Sequence, residues 1–284
     1  MSSIRDTLLA DAARLNATLD LGTTTARIEA QCLLQSALKV PRSYLLAHPE
    51  QELDAASNAS YAAMLQRRLL GEPIAHILSE REFFGLNFKV TPATLIPRPE
   101  TELLVELALQ QLPQGRACRV LDLGTGSGAI ALSIAYSLPG AEVVAVDASA
   151  AALQVARENA QRLGIANASF LLSDWFSALE AQCFDLIVSN PPYIAAGDVH
   201  LSQGDVRFEP ITALASGTDG LDDIRRIAAR AGDFLRQGAW LLLEHGYDQA
   251  QAVREILKEN GYTEIFSAKD IAGIERVSAG KCQK

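Results

Sequence analysis

Asp122-Leu-Gly-Thr-Gly-Ser-Gly128 stands where a predicted strand, residues 119–123, turns into a predicted helix, residues 129–137. Glycines at such a turn let the backbone approach a ligand and leave the helix N-terminus facing it. Asp147 ends the next predicted strand, near the 20-residue offset typical of a carboxylate that binds ribose hydroxyls. Because Gly124, Gly126 and Ala129 also fit G-x-G-x-x-A, a dinucleotide-binding fold remains an alternative at this point.

Strands and helices alternate along the rest of the chain. Further strands are predicted at 142–146, 169–172, 184–189 and 239–243, and helices at 150–163, 221–236 and 249–260. Segments 263–268 and 276–280 are predicted to close the sheet as an antiparallel pair. The pattern predicts an α/β fold with a mainly parallel seven-stranded sheet and helices on both faces.

The N-terminal third of the chain has a different pattern of apolar residues. Apolar residues recur at helical spacing, as in Ile4, Leu8 and Leu9, and predict a small bundle of four or five helices. Two β-prone runs on either side of Gly85 predict a hairpin that connects the two domains. The predicted domains are therefore a helical bundle at 1–73, a β-hairpin linker at 74–95 and the α/β domain at 96–284.

Composition excludes several classes of function. The 284 residues carry a formal net charge of -9, which opposes tight, sequence-independent binding to nucleic acid. The four cysteines form no CxxC pair and the four histidines are dispersed, so we expect no metal site. We find no signal peptide and no membrane-spanning apolar run, and we expect a cytoplasmic protein without membrane association.

Asn190-Pro-Pro-Tyr193 directly follows the predicted buried strand 184–189. Ligands of open α/β sheets bind at the carboxyl ends of strands, and two prolines remove two backbone donors and fix φ. The Asn190 side-chain oxygen and the Pro191 carbonyl can then form a rigid pair of acceptors for an NH2 group. With the Tyr193 ring against its plane, the sequence predicts a site that presents a planar nitrogen.

Asp174-Trp175 closes the third predicted strand of the α/β domain, where a carboxylate and an aromatic face could hold an adenine. Packing within the core or at its rim is the alternative interpretation of Trp175. Hydride transfer has no need of the tetrapeptide beside this crevice, whereas methyl transfer to nitrogen does. The combination resembles methyltransferases that use S-adenosylmethionine.

The chain more closely resembles the release-factor glutamine methyltransferases, the HemK/PrmC family, over nearly its whole length. The motifs that carry the resemblance are Gly71-Glu-Pro-Ile-Ala-His-Ile-Leu78, Glu82-Phe-Phe-Gly85, Leu95-Ile-Pro-Arg-Pro-Glu-Thr-Glu102, Asp122-Leu-Gly-Thr-Gly-Ser-Gly-Ala-Ile130, Ser189-Asn-Pro-Pro-Tyr-Ile194, Phe208-Glu-Pro210, Asp219-Gly-Leu221, Glu244-x-Gly246-x-x-Gln249 and Asp270-x-x-Gly273. Ser79 departs from the pattern, since a glycine is expected before the Phe-Phe segment, and we expect the change to affect the hairpin turn.

The resemblance implies a Rossmann-like class I methyltransferase that forms N5-methylglutamine in the Gly-Gly-Gln loop of class 1 peptide chain release factors. It implies S-adenosylmethionine as co-substrate, no metal, a helical domain that docks the release factor, and a monomer. The implied cofactor-binding residues are Gly124, Thr125, Gly126, Ser127, Gly128, Asp147, Asp174, Trp175 and Asn190. The implied substrate-binding residues are Asn190, Pro191, Pro192 and Tyr193, of which Asn190, Pro191 and Tyr193 are the candidate catalytic residues.

An N6-adenine DNA methyltransferase is the alternative function, because the same tetrapeptide can hold an exocyclic amine. The acidic balance and the small helical domain weigh against it, and we expect no stable binding of nucleic acid. Two further roles follow from position alone. Thr101, with its neighbouring glutamates, is predicted to cap a helix, and Glu244, at the end of the fifth predicted α/β strand, is predicted to pack or cap.

Overall fold

The computed structural model describes residues 2–112, 117–180 and 183–283, so the ends of the predicted domains, Met1 and Lys284, lie outside it. The chain forms two compact units. The first comprises Met1–Glu80 together with Ser202–Phe208, and the second comprises Arg81–Leu201 and Glu209–Lys284. A short segment downstream of the tetrapeptide thus belongs to the N-terminal unit.

Helices build the first unit, as predicted. They are α1 (Ile4–Leu19), α2 (Thr23–Leu38), α3 (Arg42–Ala47), α4 (Ala55–Leu69) and α5 (Ile74–Leu78). Ser3 and Asp54 accept backbone N–H groups at the starts of α1 and α4, as N-cap side chains do. Leu15, Leu33 and Tyr61 are buried in the core that these helices share.

The hairpin is confirmed, and it occupies only part of the predicted linker segment 74–95. Residues 74–78 form α5, and the two strands are β1 (Glu80–Phe83) and β2 (Leu86–Lys89). Ser79 ends α5 in the left-handed conformation, with φ of 56°. Glycine adopts this conformation without strain, which explains the expectation of glycine. The departure therefore affects the end of the helix and not the hairpin turn.

A seven-stranded sheet forms the centre of the second unit. Its strands are β3 (Cys118–Leu123), β4 (Ala141–Asp147), β5 (Ala168–Leu172), β6 (Phe184–Ser189), β7 (Leu235–Glu244), β8 (Thr263–Lys269) and β9 (Glu275–Lys281). They lie in the order β5-β4-β3-β6-β7-β9-β8, and β9 runs antiparallel to β7 and to β8. The predicted fold class and the terminal antiparallel pair are confirmed. Strand order reverses between β3 and β6, the place where open α/β sheets bind ligands.

Helices cover both faces of this sheet. They are α6 (Glu102–Gln111), α7 (Ala129–Ser137), α8 (Ala150–Leu163), α9 (Asp222–Ala231) and α10 (Ala250–Glu259). Alternate strand residues enter different cores: Val120 packs in the core that includes α6 and α7, and Leu121 in the one that includes α9 and α10.

One predicted helix was too long. The helix expected at 221–236 ends at Ala231, and Leu235 and Arg236 already belong to β7. Leu235 pairs with Phe184 of β6, so burial in the sheet determines its conformation. Helical periodicity cannot register such a pairing, because the partner strand is distant in sequence.

Candidate active site

The glycine-rich turn joins β3 to α7 through three left-handed residues. Gly124, Gly126 and Gly128 have φ of 74°, 57° and 84°. A Cβ at Gly124 would come within 3.3 Å of the Trp175 ring, and one at Gly128 within 3.0 Å of Leu132. The left-handed backbone thus favours glycine at all three positions, and close packing favours it at Gly124 and Gly128 as well.

Two aspartates hold the turn in place. Asp147 accepts the N–H of Gly126 at 2.9 Å through Oδ2 and the N–H of Ser149 at 2.8 Å through Oδ1. Burial raises the pKa of Asp147, and these two backbone donors oppose the rise. Asp122 is fully buried and accepts the Thr125 hydroxyl at 2.6 Å. Burial raises the pKa of Asp122 to about 7.

Trp175 packs beside Gly124 in a strained conformation, with φ of 47°. Its indole N–H donates to Asp223 Oδ1 at 3.1 Å, and Asp223 also accepts the Ser216 hydroxyl at 2.8 Å. The half-buried ring is therefore fixed in orientation, beyond what packing alone provides. Asp174 forms an exposed ion pair with Arg226 at 3.1 Å.

The tetrapeptide begins immediately after β6, at the predicted place. Asn190 donates from Nδ2 to Thr101 Oγ1 at 3.3 Å, and the Tyr193 hydroxyl donates to Glu244 Oε1 at 3.4 Å. Pro191 is buried. Burial raises the pKa of the Tyr193 hydroxyl, and the neighbouring Glu244 carboxylate raises it further, so the tyrosine stays protonated.

A cavity of about 530 Å³ brings most of the predicted residues together. Its wall contains the glycine turn from Gly124 to Ser127, Asp147, Asp174, Trp175, Asn190 and Pro192. Gly128, Pro191 and Tyr193 do not line this wall. The volume lies within the range of small-molecule sites, about 300–1,000 Å³.

Two family models match the chain. A methyltransferase domain matches residues 114–272, and a PrmC N-terminal domain matches residues 12–78. The chain is 52% identical to the release factor glutamine methyltransferase of Vibrio cholerae, over 92% of this chain and 91% of that protein. The protein of the same name from Bordetella pertussis is 54% identical over 89% and 94%, and that of Escherichia coli 48% over 90% and 92%. The chain belongs to the release factor glutamine methyltransferase family.

Solved structures support the fold of this methyltransferase. A methyltransferase from Pyrococcus furiosus aligns with a TM-score of 0.55, over 78% of this chain and all of that chain, at 18% identity. A 16S rRNA N2 G1207 methyltransferase from T. Thermophilus, in complex with AdoMet and guanosine, aligns with a TM-score of 0.52 at 25% identity. That alignment covers 72% of this chain and 50% of the other.

The cavity of the methyltransferase suits S-adenosylmethionine. Left-handed glycines expose backbone to the cavity, Asp147 places a carboxylate beside it at the end of β4, and the fixed Trp175 ring offers an aromatic face. These are the groups that a ribose, a charged amino-acid tail and an adenine require. The chain is a methyltransferase that depends on S-adenosylmethionine.

Four residues of the methyltransferase site escaped prediction. Asp223 and Arg226 line the cavity from α9, where the sequence around them indicates only the charged start of a helix.

Thr101 was expected to cap α6, but its side chain makes no capping hydrogen bond and contacts Asn190 instead. Glu209 is buried and accepts the Ile96 N–H at 2.9 Å and the Arg98 guanidinium, so it anchors one side of the cavity. Its place in Phe208-Glu-Pro210 was the available signal.

Two further observations concern metal binding and membrane-spanning helices. Within residues 2–112, 117–180 and 183–283, His, Cys, Asp and Glu side chains form no group of three that could hold a metal ion. In the same ranges, every helix is too short or too polar to cross a membrane.

Proposed function

We propose that this methyltransferase methylates the N5 amide nitrogen of the glutamine in the Gly-Gly-Gln motif of class 1 peptide chain release factors. One observation carries the proposal: Asn190 lies in the wall of the cavity that the glycine turn and Asp147 also line. The proposed acceptor for a planar nitrogen and the proposed cofactor site would therefore share one cavity. The names of the relatives supply the substrate, since each is a release factor glutamine methyltransferase.

The amide of glutamine is a weak nucleophile, because its nitrogen lone pair is delocalised into the carbonyl. S-adenosylmethionine would supply an electrophilic methyl group on a sulfonium sulfur: the N–CH3 bond would form as the S–CH3 bond breaks, S-adenosylhomocysteine would leave, and the methylated nitrogen would release one proton to water. Asn190 Oδ1 and the Pro191 carbonyl would accept the two N–H groups and aim the lone pair at that methyl group. Positioning of this kind can contribute roughly 7–11 kcal/mol in favourable systems.

The same two acceptors favour the positive charge that develops on nitrogen during transfer. Tyr193 would restrain the plane of the amide, and its hydrogen bond to Glu244 keeps the ring in place. Cofactor binding is assigned to Gly124–Gly128, Asp147, Asp174, Trp175 and Asn190. Gly128 would act indirectly, through the shape of the turn.

The helical unit, whose residues 12–78 match the PrmC N-terminal domain, is proposed to dock the release factor. A net charge of -9 favours a protein substrate over a nucleic acid and weighs against an N6-adenine DNA methyltransferase. A cytoplasmic location, a monomeric state and the lack of a metal requirement remain predictions.

Incubation with S-adenosylmethionine and a purified class 1 release factor, followed by peptide mass spectrometry, tests the proposal. We expect one added methyl group, 14 Da, on the glutamine of Gly-Gly-Gln, as the replacement of one hydrogen by CH3 requires. A release factor with alanine in place of that glutamine is the matched control and should stay unmodified. Methylated adenine in a DNA arm, with an unmodified release factor, would overturn the proposal.

A further inference from the structure

The side chain of Gln249 makes hydrogen bonds to three separate backbone segments of the second unit. Its Oε1 accepts the Gly246 N–H at 2.8 Å, and its Nε2 donates to the Tyr193 carbonyl at 3.0 Å and to the Asp219 carbonyl at 3.3 Å. A backbone N–H only donates and a backbone carbonyl only accepts, so these partners admit one orientation of the amide. Gln249 is therefore a fixed link between the tetrapeptide and two other loops.

The start of α10 makes no use of this side chain. Gln249 directly precedes α10, and its side chain forms no capping hydrogen bond with that helix. The amide extends instead to the turn after β7 and to the end of the tetrapeptide. The motifs Glu244-x-Gly246-x-x-Gln249 and Asp219-Gly-Leu221, which are distant in sequence, thus meet at Tyr193.

Gly220 brings the loop before α9 close to the same carbonyl. It has φ of 77°, and a Cβ at this position would lie 2.2 Å from the Tyr193 carbonyl oxygen and 2.8 Å from Gln249 Nε2. Glycine permits both the conformation and the close approach. The next residue, Ile194, donates its N–H to the Leu214 carbonyl at 2.9 Å. The chain is therefore held both at Tyr193 and directly after it.

The tetrapeptide depends on such contacts, because its two prolines have no N–H to donate. Tyr193 is held at two places: its hydroxyl donates to Glu244 Oε1 at 3.4 Å, and its carbonyl accepts Gln249 Nε2. Contacts at both ends of a residue restrict its direction more than one contact does. Because the ring of Pro192 restricts backbone rotation, a shift of the Tyr193 backbone is transmitted to the Pro191 carbonyl.

We propose that Gln249 is a positioning residue for methyl transfer: it holds the Tyr193 backbone so that the tyrosine ring and the Pro191 carbonyl meet the amide of the substrate glutamine. The inference rests on the proposed function, because it concerns how that amide is held. Gln249 does not line the cavity, so it acts through the tetrapeptide and not by contact with the reacting atoms.

Gln249→Met tests the role directly, because methionine has a similar length but neither the donor nor the acceptor. We expect the single-turnover rate constant for methylation of a purified class 1 release factor to fall about 10- to 100-fold. The Michaelis constant for the release factor and the dissociation constant for S-adenosylmethionine should stay within about threefold. The helical unit and the glycine turn, to which those two tasks are assigned, are unchanged in this variant.

Gln249→Glu separates the donor from the acceptor. The carboxylate can still accept the Gly246 N–H, but it has no proton to donate to the Tyr193 carbonyl. A protonated carboxyl group can donate again; its ordinary pKa is about 4.3, and the facing carbonyl oxygens raise it. The rate constant relative to that of the unsubstituted protein should therefore rise at least about twofold from about pH 8 to about pH 5. The same ratio for Gln249→Met should stay constant.

Gln251→Met and Gln251→Glu are the matched controls. Gln251 is an exposed residue of α10 whose Nε2 donates to Glu255 at 3.0 Å. The same substitutions at this position should leave the rate constant unchanged at every pH. Urea denaturation checks that each variant is folded under the assay conditions. If Gln249→Met does not fold, Gln249→Glu, which has nearly the same shape as the native side chain, decides the test through its pH dependence.

A rate constant for Gln249→Met within about threefold of that of the unsubstituted protein would overturn the inference. A constant ratio for Gln249→Glu across the pH range would also overturn it, because the donor to Tyr193 would then not be the cause. Parallel losses in release factor affinity and cofactor binding would assign Gln249 a general role in stability instead. An unsubstituted protein that leaves the release factor unmethylated would refute the proposed function, and the role of Gln249 with it.

Discussion

Asn190 divides two tasks between the two atoms at the end of its side chain. Nδ2 donates to a buried threonine of the second unit, and the residue lies in a wall of the cavity, where Oδ1 is the proposed acceptor. The neighbouring Pro191 has no N–H, so its carbonyl carries the polar chemistry of that backbone position. At the scale of the residue, the proposed pair of acceptors therefore depends on atoms outside the tetrapeptide.

We expect Asn190→Ala to lower kcat at least 100-fold, because the substrate nitrogen loses an acceptor that fixes its lone pair. The dissociation constant for S-adenosylmethionine should change less than about fivefold, since the glycine turn and Asp147 remain. Single-turnover methylation and calorimetric titration measure the two quantities. Asn260→Ala, at an exposed position directly after α10, is the control. Normal turnover of Asn190→Ala would refute the acceptor role.

At the scale of the element, the segment from Ala93 to Thr101 forms one wall of the cavity without regular secondary structure before its final 3-10 turn. Its conformation depends on Glu209, which is buried and accepts both a backbone N–H of the segment and the Arg98 guanidinium. Charge-assisted hydrogen bonds to a buried carboxylate are stronger than neutral ones. A single side chain thus couples this wall to the loop that begins at residue 209.

We expect Glu209→Gln to weaken binding of S-adenosylmethionine about tenfold, because the neutral amide cannot hold Arg98 as the carboxylate does. The free energy of unfolding should fall by about 1–3 kcal/mol as a buried charged hydrogen bond is lost. Calorimetric titration and urea denaturation measure these effects. Glu158→Gln breaks a half-exposed ion pair with Lys89 and should change neither quantity appreciably. Equal behaviour of the two variants would exclude the role of Glu209.

The elements of the second unit could be predicted because each carries its own signal. Glycines mark the turn after β3, and prolines follow β6. The contacts between elements could not be predicted from the sequence. Thr101 and Asn190 are 89 positions apart along the chain, and Tyr193 and Glu244 are 51 positions apart. Spacing along a chain predicts neighbours on one helix or strand, whereas these pairs meet only through the order of strands in the sheet. Thr101 was accordingly predicted to be a helix cap.

At the scale of the whole molecule, the chain returns to its N-terminal unit after the tetrapeptide. Ser202–Phe208 belongs to that unit, and Arg68 of α4 holds it through an ion pair with Asp205 at 2.9 Å. Arg68 is 2% exposed and also contacts Glu29 at 2.7 Å and the carbonyls of Gly71 and Glu72. One buried guanidinium therefore fixes parts of three separate segments.

Arg68→Ala should lower the free energy of unfolding by about 3–5 kcal/mol, because it leaves the largely buried Glu29 carboxylate without its cation. Asp205→Ala should cost less, since the Asp205 side chain is 39% exposed and solvent screens the pair. Arg5→Ala breaks an exposed pair with Glu50 and should cost at most about 1 kcal/mol. Urea denaturation of the three variants measures the differences. A cost for Arg68→Ala no larger than that for Arg5→Ala would show that the returning segment is held by apolar packing, not by the guanidinium.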